Sequence, residues 1–232
     1  LILMDIKHLL SRNPLQPAYC QAPARAAISD APPLRWHSYA AGLHEVGHAG
    51  AALGTGGGLD FCFDNEGPRH QVWLVEFALA SRLVTNGEYL QFMQDGGYTR
   101  AELWLSEGWD AVNTQRWRAP LYWQQRDGQW QHFTLHGVQP ITPSDPLQHV
   151  SFFEAEAFAQ WASRHSQWHD ARLPTEFEWE VAAAHQAITG NFLDAMALCA
   201  LPAPHQSSAP QQIYGDLWEW TRSAYAPYPG FR

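Results

Sequence analysis

Apolar residues recur at helical spacing at the start of the chain. Residues 1–12, LILMDIKHLLSR, carry a broad apolar stripe on which Ile6 and Leu9 lie one turn apart. A spacing of three to four residues between apolar positions is typical of an amphipathic helix. Pro14 and Pro17 end the predicted helix, because proline lacks a backbone donor and disfavours helical backbone at the residue before it.

Three later helices are predicted from apolar spacing together with capping residues. They cover residues 83–93, 151–165 and 174–184. The first begins at Thr85 or the residue after it, since threonine is a favourable N-cap. Ser151 and Glu154 form an S-x-x-E capping box, in which hydroxyl and carboxylate satisfy backbone donors at the helix start. Thr175 and Glu178 repeat this arrangement in the third helix.

Short extended runs are predicted in residues 34–82, where Gly and Asn/Asp turns separate them. In QVWLVEFAL, residues 71–79, the apolar residues Val72 and Leu74, and further on Phe77, alternate with other residues. A period of two is typical of β-strands with one buried face. The expected architecture therefore combines strands with the helices described above.

Two stretches lack a clear period. Residues 102–137 are rich in tryptophan and predicted to be mostly loop, with a β-hairpin whose turn is Arg-Asp-Gly-Gln at 126–129. Residues 19–33, YCQAPARAAISDAPP, are small and proline-rich, which is linker composition. We place a domain boundary in this second stretch.

The composition indicates a globular chain with a small partner. Of its 232 residues, 46% are hydrophobic and 16% are charged, enough for one large domain or one domain and part of another. Its net charge of −9 and the lack of a basic run argue against nucleic acid or an anionic membrane as a partner. No apolar run approaches the roughly 20 residues that span a bilayer, and no leader pattern is present, so we expect a cytoplasmic protein.

The cysteines and several histidines show no metal-binding spacing. The three cysteines are odd in number and widely separated, which fits neither a disulfide framework nor a Cys-x-x-Cys site: Cys20, Cys62 and Cys199. We expect reduced thiols in the interior, where free cysteines are usually found. Four histidines are expected at the surface or hydrogen-bonded: His132, His136, His149 and His165.

Residues 42–50, GLHEVGHAG, contain the H-E-x-x-H pattern of zinc metallopeptidases. In those enzymes both histidines lie one helical turn apart and bind one ion. Three glycines in this stretch each cost a helix about 1 kcal/mol relative to alanine, and so short a helix is not stable alone. We therefore predict a strand and a turn, with His44, Val46 and His48 on one face. A polar role of His48 other than zinc binding stays open.

Three segments together resemble one protein family. They are VTNGEYLQF at 84–92, HVSFFEAEAFAQWASRHSQWHDARLPTEFEWEVAAA at 149–184 and YGDLWEWT at 214–221. RLPTEFEWEVAA and GDLWEW are highly specific strings. On these residues the chain is identified as a member of the formylglycine-generating, sulfatase-modifying-factor domain family. The resemblance covers residues 34–232 and implies an α+β, loop-rich variant of the C-type lectin fold.

The matching strings are expected to be scaffold. Trp179, Trp218 and Trp220 are predicted core aromatics. The glutamates of EFEWE, residues 176–180, are expected to accept hydrogen bonds from nearby backbone N–H groups or from Arg172. These strings therefore support the fold more strongly than a reaction.

Other stretches resemble the ergothioneine-biosynthesis sulfoxide synthases. They lie at residues 1–19, 63–109, 119–137 and 227–231. In that family a DinB-like four-helix bundle precedes the lectin-like domain. The resemblance assigns 1–19 to the end of the bundle, 20–33 to a linker and 34–232 to a sulfatase-modifying-factor domain without its C-terminal end. We therefore expect the chain to be a piece of a longer protein and inactive by itself.

This resemblance implies a non-haem iron(II) enzyme. Such enzymes use O₂ to join a thiol sulfur, from γ-glutamylcysteine or cysteine, to C2 of the hercynine imidazole, which yields a sulfoxide. Open coordination positions on iron suit a reaction between a bound thiolate and O₂. The family's iron ligands, two of them in an H-x-x-x-H-x-E string, and its catalytic tyrosine are expected outside residues 1–232. Catalytic residues within the chain are therefore unknown, and no metal ligand is assigned to it.

One wall of the family's substrate pocket is expected within the chain. WEWTRSAYAPYPGF leads toward the family's catalytic tyrosine segment. Four aromatic residues in it are the predicted substrate-binding residues: Trp220, Tyr225, Tyr228 and Phe231. Aromatic rings would attract the trimethylammonium group of hercynine by cation–π interaction. Packing in the core is the alternative role of these rings.

Other functions stay open. Selenoneine and ovothiol synthases share the same two-domain plan. Formylglycine generation is a copper-dependent oxidation of a sulfatase cysteine that needs a reactive cysteine pair, and Cys199 alone does not supply one. A lectin-like binding module would carry out no chemistry.

Overall fold

The computed structural model describes residues 1–22, 30–49, 62–165, 168, 170–204, 207 and 209–231. The α-helices are Ile2–Arg12 (α1), Asn86–Gln94 (α2), Ser106–Gln115 (α3), Phe152–Ala162 (α4) and Glu176–Ala183 (α5). The strands are Trp36–Tyr39 (β1), Gly42–Val46 (β2), His70–Leu74 (β3), Phe77–Ala80 (β4), Trp123–Arg126 (β5), Gln129–Thr134 (β6) and Gly137–Pro140 (β7). Short antiparallel sheets and long loops confirm the predicted α+β, loop-rich class.

The chain forms two compact units. Unit 1 comprises Leu1–Arg35, Ser81–Leu173 and Ile188–Glu219, and unit 2 comprises Trp36–Ala80, Pro174–Ala187 and Trp220–Arg232. Helix α1 therefore belongs to the same unit as α2, α3 and α4. The assignment of residues 1–19 to a helical bundle stays a prediction. None of the described helices has the length and apolar character needed to cross a membrane.

Unit 2 is built from two antiparallel strand pairs and one helix. Strand β1 pairs with β4, and β2 pairs with β3 in a register that places Val46 opposite His70. The apolar run 71–79 is thus two strands, interrupted by two exposed residues at 75 and 76. Helix α5 packs on β2, β3 and β4. Its Val181 joins a core formed by Val46, Leu74 and Phe77.

Unit 1 has an aromatic core between α2 and α4. Tyr89 and Phe92 of α2 are fully buried and contact Phe158 of α4, with ring centroids 5.6 Å and 5.9 Å from it. Tyr98 donates a hydrogen bond to Glu154, whose other oxygen accepts the backbone N–H of Ser151 at 2.7 Å. A carboxylate can be buried here because each of its oxygens is hydrogen-bonded.

Local sequence signals locate most helix starts. The three later predicted helices begin with a capping box, at Thr85, Ser151 and Thr175. Helix α1 ends at Arg12, before the first proline, as predicted. The predicted hairpin is also present, because Asp127 and Gly128 adopt the positive φ values, 50° and 77°, that its two-residue turn between β5 and β6 requires.

Helix α3 corrects the prediction that residues 102–137 are mostly loop. Its N-cap is Leu105, which offers no side-chain hydrogen bond, and Gly108 lies in its first turn. Both residues weaken a helix signal in the sequence. A Cβ at position 108 would lie 2.8 Å from the Cβ of Phe153. Glycine therefore lets α3 approach the start of α4, a tertiary requirement that a local pattern does not reveal.

Candidate functional site

The H-E-x-x-H residues form a strand and a turn, as predicted. Strand β2 ends at the buried Val46, and its exposed residues Leu43 and Glu45 alternate with half-buried His44. Gly47 follows with φ of 86°, outside helical geometry. Gly50 lies outside the described residues. Within the described ranges, no group of three or more His, Cys, Asp or Glu side chains is placed to hold a metal ion.

Gly47 makes close contacts at the end of β2. A Cβ added there would lie 2.9 Å from the carbonyl oxygen of Pro68 and 3.1 Å from Cε2 of Tyr228. The next residue, His48, donates its backbone N–H to the carbonyl of Glu66 at 2.7 Å. Glycine is required at position 47 both for its positive φ and for the space that Tyr228 occupies.

Helix α5 supplies a carboxylate to the same place. Glu180 lies one turn after the capping box, and its Oε1 accepts the backbone N–H of Gly47. Its Oε2 accepts the hydroxyl of Tyr228 at 3.2 Å. The prediction that the EFEWE glutamates satisfy backbone donors is confirmed for Glu180, and for Glu178, which accepts the N–H of Thr175 at 2.7 Å.

Tyr228 remains a protonated phenol in this setting. Burial raises its pKa, and the neighbouring carboxylates of Glu180 and Glu176 raise it further. A tyrosine with a raised pKa keeps its proton at neutral pH and donates it in a hydrogen bond. The contact with Glu180 therefore fixes the direction of the hydroxyl and, with it, the plane of the ring.

The rings of His70 and Phe177 also lie next to Tyr228. We call the whole group the Tyr228 cluster, and its members are Gly47, His70, Phe177, Glu180 and Tyr228. The centroid of the His70 ring lies 4.7 Å from that of Tyr228, and that of Phe177 lies 6.1 Å from it. His70 Nδ1 is 3.0 Å from the carbonyl oxygen of Pro68. Because a carbonyl accepts only, Nδ1 carries a proton in this contact.

The segment with the predicted pocket residues is attached to the start of α5. Arg222 donates its backbone N–H to the carbonyl of Pro174 at 2.8 Å. The hydroxyl of Ser223 accepts the N–H of Glu176 at 2.9 Å. Further along, the N–H of Phe231 reaches the carbonyl of Tyr228 at 3.0 Å. These bonds hold the segment where Tyr228 meets Glu180.

The four predicted substrate-binding residues have different surroundings. Tyr228 is half-buried in its cluster, and Phe231, three residues further along the chain, is also half-buried. Tyr225 is 86% exposed, and its hydroxyl accepts a hydrogen bond from Asn65 Nδ2 at 2.7 Å. Trp220 is 48% exposed. The structure thus gathers Tyr228 with Gly47, Glu180 and His70, while Trp220 and Tyr225 present their rings at the surface of unit 2.

Two tryptophans differ from their predicted core roles. Trp218 is 96% exposed, and Trp220 is about half exposed, so neither is a core residue in this structure. Trp179 is half-buried. In the pattern W-E-W the two outer residues have the period of a strand, but residues 217–221 form no strand, and both rings are exposed.

The remaining members of the cluster carry weak signals in the sequence. His70 has no motif around it, and the only local signal of Gly47 is that it weakens a helix. Glu180 was expected to be structural, and its hydrogen bond to the backbone of Gly47 fits that role. The second hydrogen bond of Glu180, which it accepts from the Tyr228 hydroxyl, connects Glu180 to a predicted substrate-binding residue.

A cavity of about 290 Å³ lies in unit 1, whereas the residues of the Tyr228 cluster belong to unit 2. Leu90 and Met93 of α2, Tyr98 and Trp130 of β6 contribute its apolar wall. None of the predicted substrate-binding residues lines it. Its rim carries Arg118, which already donates a hydrogen bond to the carbonyl of Trp117 at 2.6 Å.

Comparison with known proteins places this architecture in a family. Residues 39–195 match the model of the sulfatase-modifying factor enzyme 1-like domain, and this segment makes up more than half of the chain. The chain belongs to this family. The match includes β2, β3 and α5, and hence Gly47, His70 and Glu180 of the Tyr228 cluster. The segment from Trp220 onward lies beyond the matched residues.

Individual known proteins show similarity over most of the chain. The chain is 37% identical to hercynine oxygenase of Mycobacterium tuberculosis over 189 residues, which is 72% of this chain and 42% of the relative. It is also 37% identical to hercynine oxygenase of Mycolicibacterium thermoresistibile, with 74% and 41% covered. A formylglycine-generating enzyme of Streptomyces coelicolor is 28% identical, with 70% and 53% covered. The chain spans less than half the length of the hercynine oxygenases that it matches.

Proposed function

We propose that this chain is part of an oxygenase that acts on hercynine in ergothioneine biosynthesis. The observation that carries the proposal is the 37% identity to two hercynine oxygenases over more than 70% of the chain. Identity to the formylglycine-generating enzymes and their inactive relatives is lower, between 26% and 33%. The proposal extends to the domain plan, with residues 1–19 as the end of a DinB-like bundle, 20–33 as a linker and 34–232 as the sulfatase-modifying-factor domain.

The proposed reaction forms a carbon–sulfur bond. The thiol of γ-glutamylcysteine or cysteine replaces the hydrogen at C2 of the hercynine imidazole. One oxygen atom of O₂ becomes the sulfoxide oxygen, and the other leaves as water with the two displaced hydrogens. The proposed cofactor is iron(II). The described residues contain no group of side chains that fits an iron site, and the proposed iron ligands lie elsewhere in the protein.

The contribution proposed for this chain is binding of the trimethylammonium group. The exposed rings of Trp220 and Tyr225 and the oriented ring of Tyr228 lie in one short segment. The Glu180 carboxylate next to Tyr228 adds negative potential that also favours a cation. A cation over an exposed aromatic ring gains on the order of 0.5–1 kcal/mol. We propose Phe231 as a fourth, half-buried member of this wall.

A turnover assay on the protein from its complete reading frame tests the activity. Iron(II), O₂, hercynine and γ-glutamylcysteine or cysteine are supplied, and the sulfoxide product is detected by mass. Omission of hercynine or of O₂ must abolish the product. No product with any donor, selenium analogues included, would contradict the proposal.

Tyr225→Ala and Tyr228→Ala test the aromatic wall. We expect each to raise KM for hercynine about 2–5-fold, the equivalent of the cation–π energy, with KM for the thiol unchanged. Tyr19→Ala, another exposed tyrosine, is the matched control and should leave both constants unchanged. Unaltered hercynine KM in both variants, with folding intact, would exclude these rings from the pocket.

Formylglycine generation is a second function supported by the matches to formylglycine-generating enzymes. It is tested in the same preparation with copper and a sulfatase-derived cysteine peptide. Conversion of the peptide without hercynine turnover would replace the first proposal. Binding of hercynine without turnover of either substrate would instead favour a non-catalytic module.

A further inference from the structure

Cys20 and His136 form a thiol–imidazole pair in unit 1. The sulfur of Cys20 lies 3.3 Å from Nδ1 of His136, although the two residues are 116 positions apart. His136 is buried, with 9% of its surface exposed, whereas Cys20 is half-buried. All three cysteines are half-buried, so the expectation that they lie in the interior is wrong for each of them, and solvent reaches Cys20. The hercynine reaction proposed above uses neither residue.

The other ring nitrogen determines which way the proton points. Nε2 of His136 is 3.1 Å from the carbonyl oxygen of Ala197. A carbonyl has no proton to donate, so Nε2 must be the protonated nitrogen in this contact. Nδ1 of the neutral ring then carries a lone pair directed at Cys20, and the thiol is the donor of that hydrogen bond.

Hydrogen bonds of the loop between β6 and β7 fix the positions of both residues. The backbone N–H of His136 donates to the hydroxyl of Thr134 at 2.9 Å, and Gln139 donates to the carbonyl of His136 at 2.8 Å. The same loop holds the thiol, since the N–H groups of Tyr19 and Cys20 both reach the carbonyl of Leu135, at 2.8 Å and 3.2 Å. Nucleophile and base are thus positioned by one hairpin.

A thiol, a base within hydrogen-bond reach and a third group that orients the base are the components of an activated nucleophile. The thiolate is the reactive form of cysteine, and an adjacent imidazole makes it available. We propose that Cys20 is a modification site that reacts with low-molecular-weight disulfides, with His136 as its base. This inference does not depend on the hercynine reaction.

The step is a thiol–disulfide exchange. Nδ1 of His136 takes the thiol proton, and the Cys20 sulfur attacks one sulfur of the disulfide. The bond between the two disulfide sulfurs breaks, and a mixed disulfide forms on Cys20. The released thiolate takes the proton from His136. Cys20 is oxidised, and the external disulfide, which is the oxidant, is reduced to one free thiol.

The test measures modification of each cysteine in the protein from its complete reading frame. Oxidised glutathione is the probe, and peptide masses report the rate at each site at pH 7. Cys62, which is also half-buried but has no imidazole hydrogen bond among the described residues, is the internal reference. We expect Cys20 to react at least tenfold faster than Cys62. Equal rates at the two sites would overturn the proposal.

Variants of two histidines on the same hairpin separate the role of the base from that of the fold. We expect His136→Gln to lower the Cys20 rate to that of Cys62, and His132→Gln to leave the Cys20 rate unchanged.

The pH dependence of the two rates is a second measurement, and it needs no variant. A thiol without a base loses about tenfold in rate per pH unit below its pKa, so the Cys20-to-Cys62 rate ratio should rise from pH 8 to pH 7. A constant ratio, or a normal Cys20 rate in folded His136→Gln, would overturn the role of His136.

Discussion

Gly47 shows at the scale of one residue how backbone conformation and side-chain packing combine. Its φ of 86° is a conformation that residues with a Cβ rarely adopt. Its missing Cβ also leaves room for Tyr228 and for the Pro68 carbonyl. The positive φ is a property of the local chain, whereas the space left by the missing Cβ is filled by Tyr228, which lies 181 positions away in the sequence.

Replacement by alanine separates these two effects. Gly230 has nearly the same φ, 85°, but a Cβ there meets nothing within 4 Å. We expect Gly230→Ala to cost about 1 kcal/mol of unfolding free energy, from backbone strain alone. Gly47→Ala should cost at least 1 kcal/mol more, because its Cβ would displace Tyr228, and it should raise KM for hercynine as Tyr228→Ala does.

Urea unfolding of both variants measures the difference, and steady-state kinetics of the complete protein measures KM. Equal destabilisation by the two substitutions would mean that the contact between position 47 and Tyr228 contributes nothing. A normal KM in a destabilised Gly47→Ala protein would show that Tyr228 does not depend on this turn.

At the scale of secondary-structure elements, some helix starts have a capping box in the sequence and others do not. Helices α2, α4 and α5 each begin with a hydroxyl residue followed three positions later by glutamate, and the structure contains all three capping boxes. Helix α3 has Leu105 at its N-cap, with backbone angles φ −64° and ψ 149° that suit a capping residue. The geometry of a cap is therefore present at α3 without a capping side chain.

Leu105→Ser should give a more stable protein than Leu105→Ala. Serine at this position can accept a backbone N–H of the first turn, which contributes about 0.5–1 kcal/mol. Leu105 is 45% exposed, so part of its burial is lost on substitution. Leu105→Ala is the matched control, since it loses the same apolar surface without gaining an acceptor. Chemical unfolding should rank serine above alanine by about 1 kcal/mol, and equal values would rule out the missing cap as a weakness of α3.

At the scale of the whole chain, Lys7 connects α1 to a segment 142 residues away. It is the only lysine in the sequence, and its Nζ lies 2.6 Å from Nε2 of His149 and 4.9 Å above the ring of Tyr122. Burial lowers the pKa of Lys7 from 10.5 to about 8. Burial, followed by the charge of Lys7, lowers the pKa of His149 from 6.5 to about 3.

These pKa values predict how stability depends on pH. Between pH 8 and 10.5 unfolded Lys7 holds its proton while folded Lys7 has released it, so stability rises with pH in that window. His149 acts between pH 6.5 and 3, where the unfolded state binds the proton first and stability falls as pH falls. Lys7→Met and Lys7→Arg both remove the rise above pH 8, because neither side chain titrates there.

The measurement is the difference in unfolding free energy between the wild-type protein and each Lys7 variant at pH 7 and at pH 10. We expect this difference to increase with pH in favour of the wild type, because the other titrating groups cancel. A difference independent of pH would show that Lys7 is not buried in solution.

Short-range signals in the sequence predicted four of the five described α-helices, the β5–β6 hairpin and the strand at H-E-x-x-H, whereas the fold class followed from the family resemblance. Capping boxes, prolines, glycines and a two-residue turn act within a few positions, so their energies can be judged without knowledge of the rest of the molecule. The specific strings around α5 likewise identified the family that the comparison confirmed.

Only the tertiary structure decided features that depend on distant partners. Helix α3 packs closely on the start of α4 because Gly108 leaves room for Phe153, and β3 and β4, which divide the run 71–79, pair with different strands. Trp218 is exposed, although the sequence predicts a core aromatic there. The bonds of Glu180 to Tyr228 and of Cys20 to His136 join residues 48 and 116 positions apart. Contacts at such separations depend on how the whole chain packs, and periodicity within one segment carries no information about them.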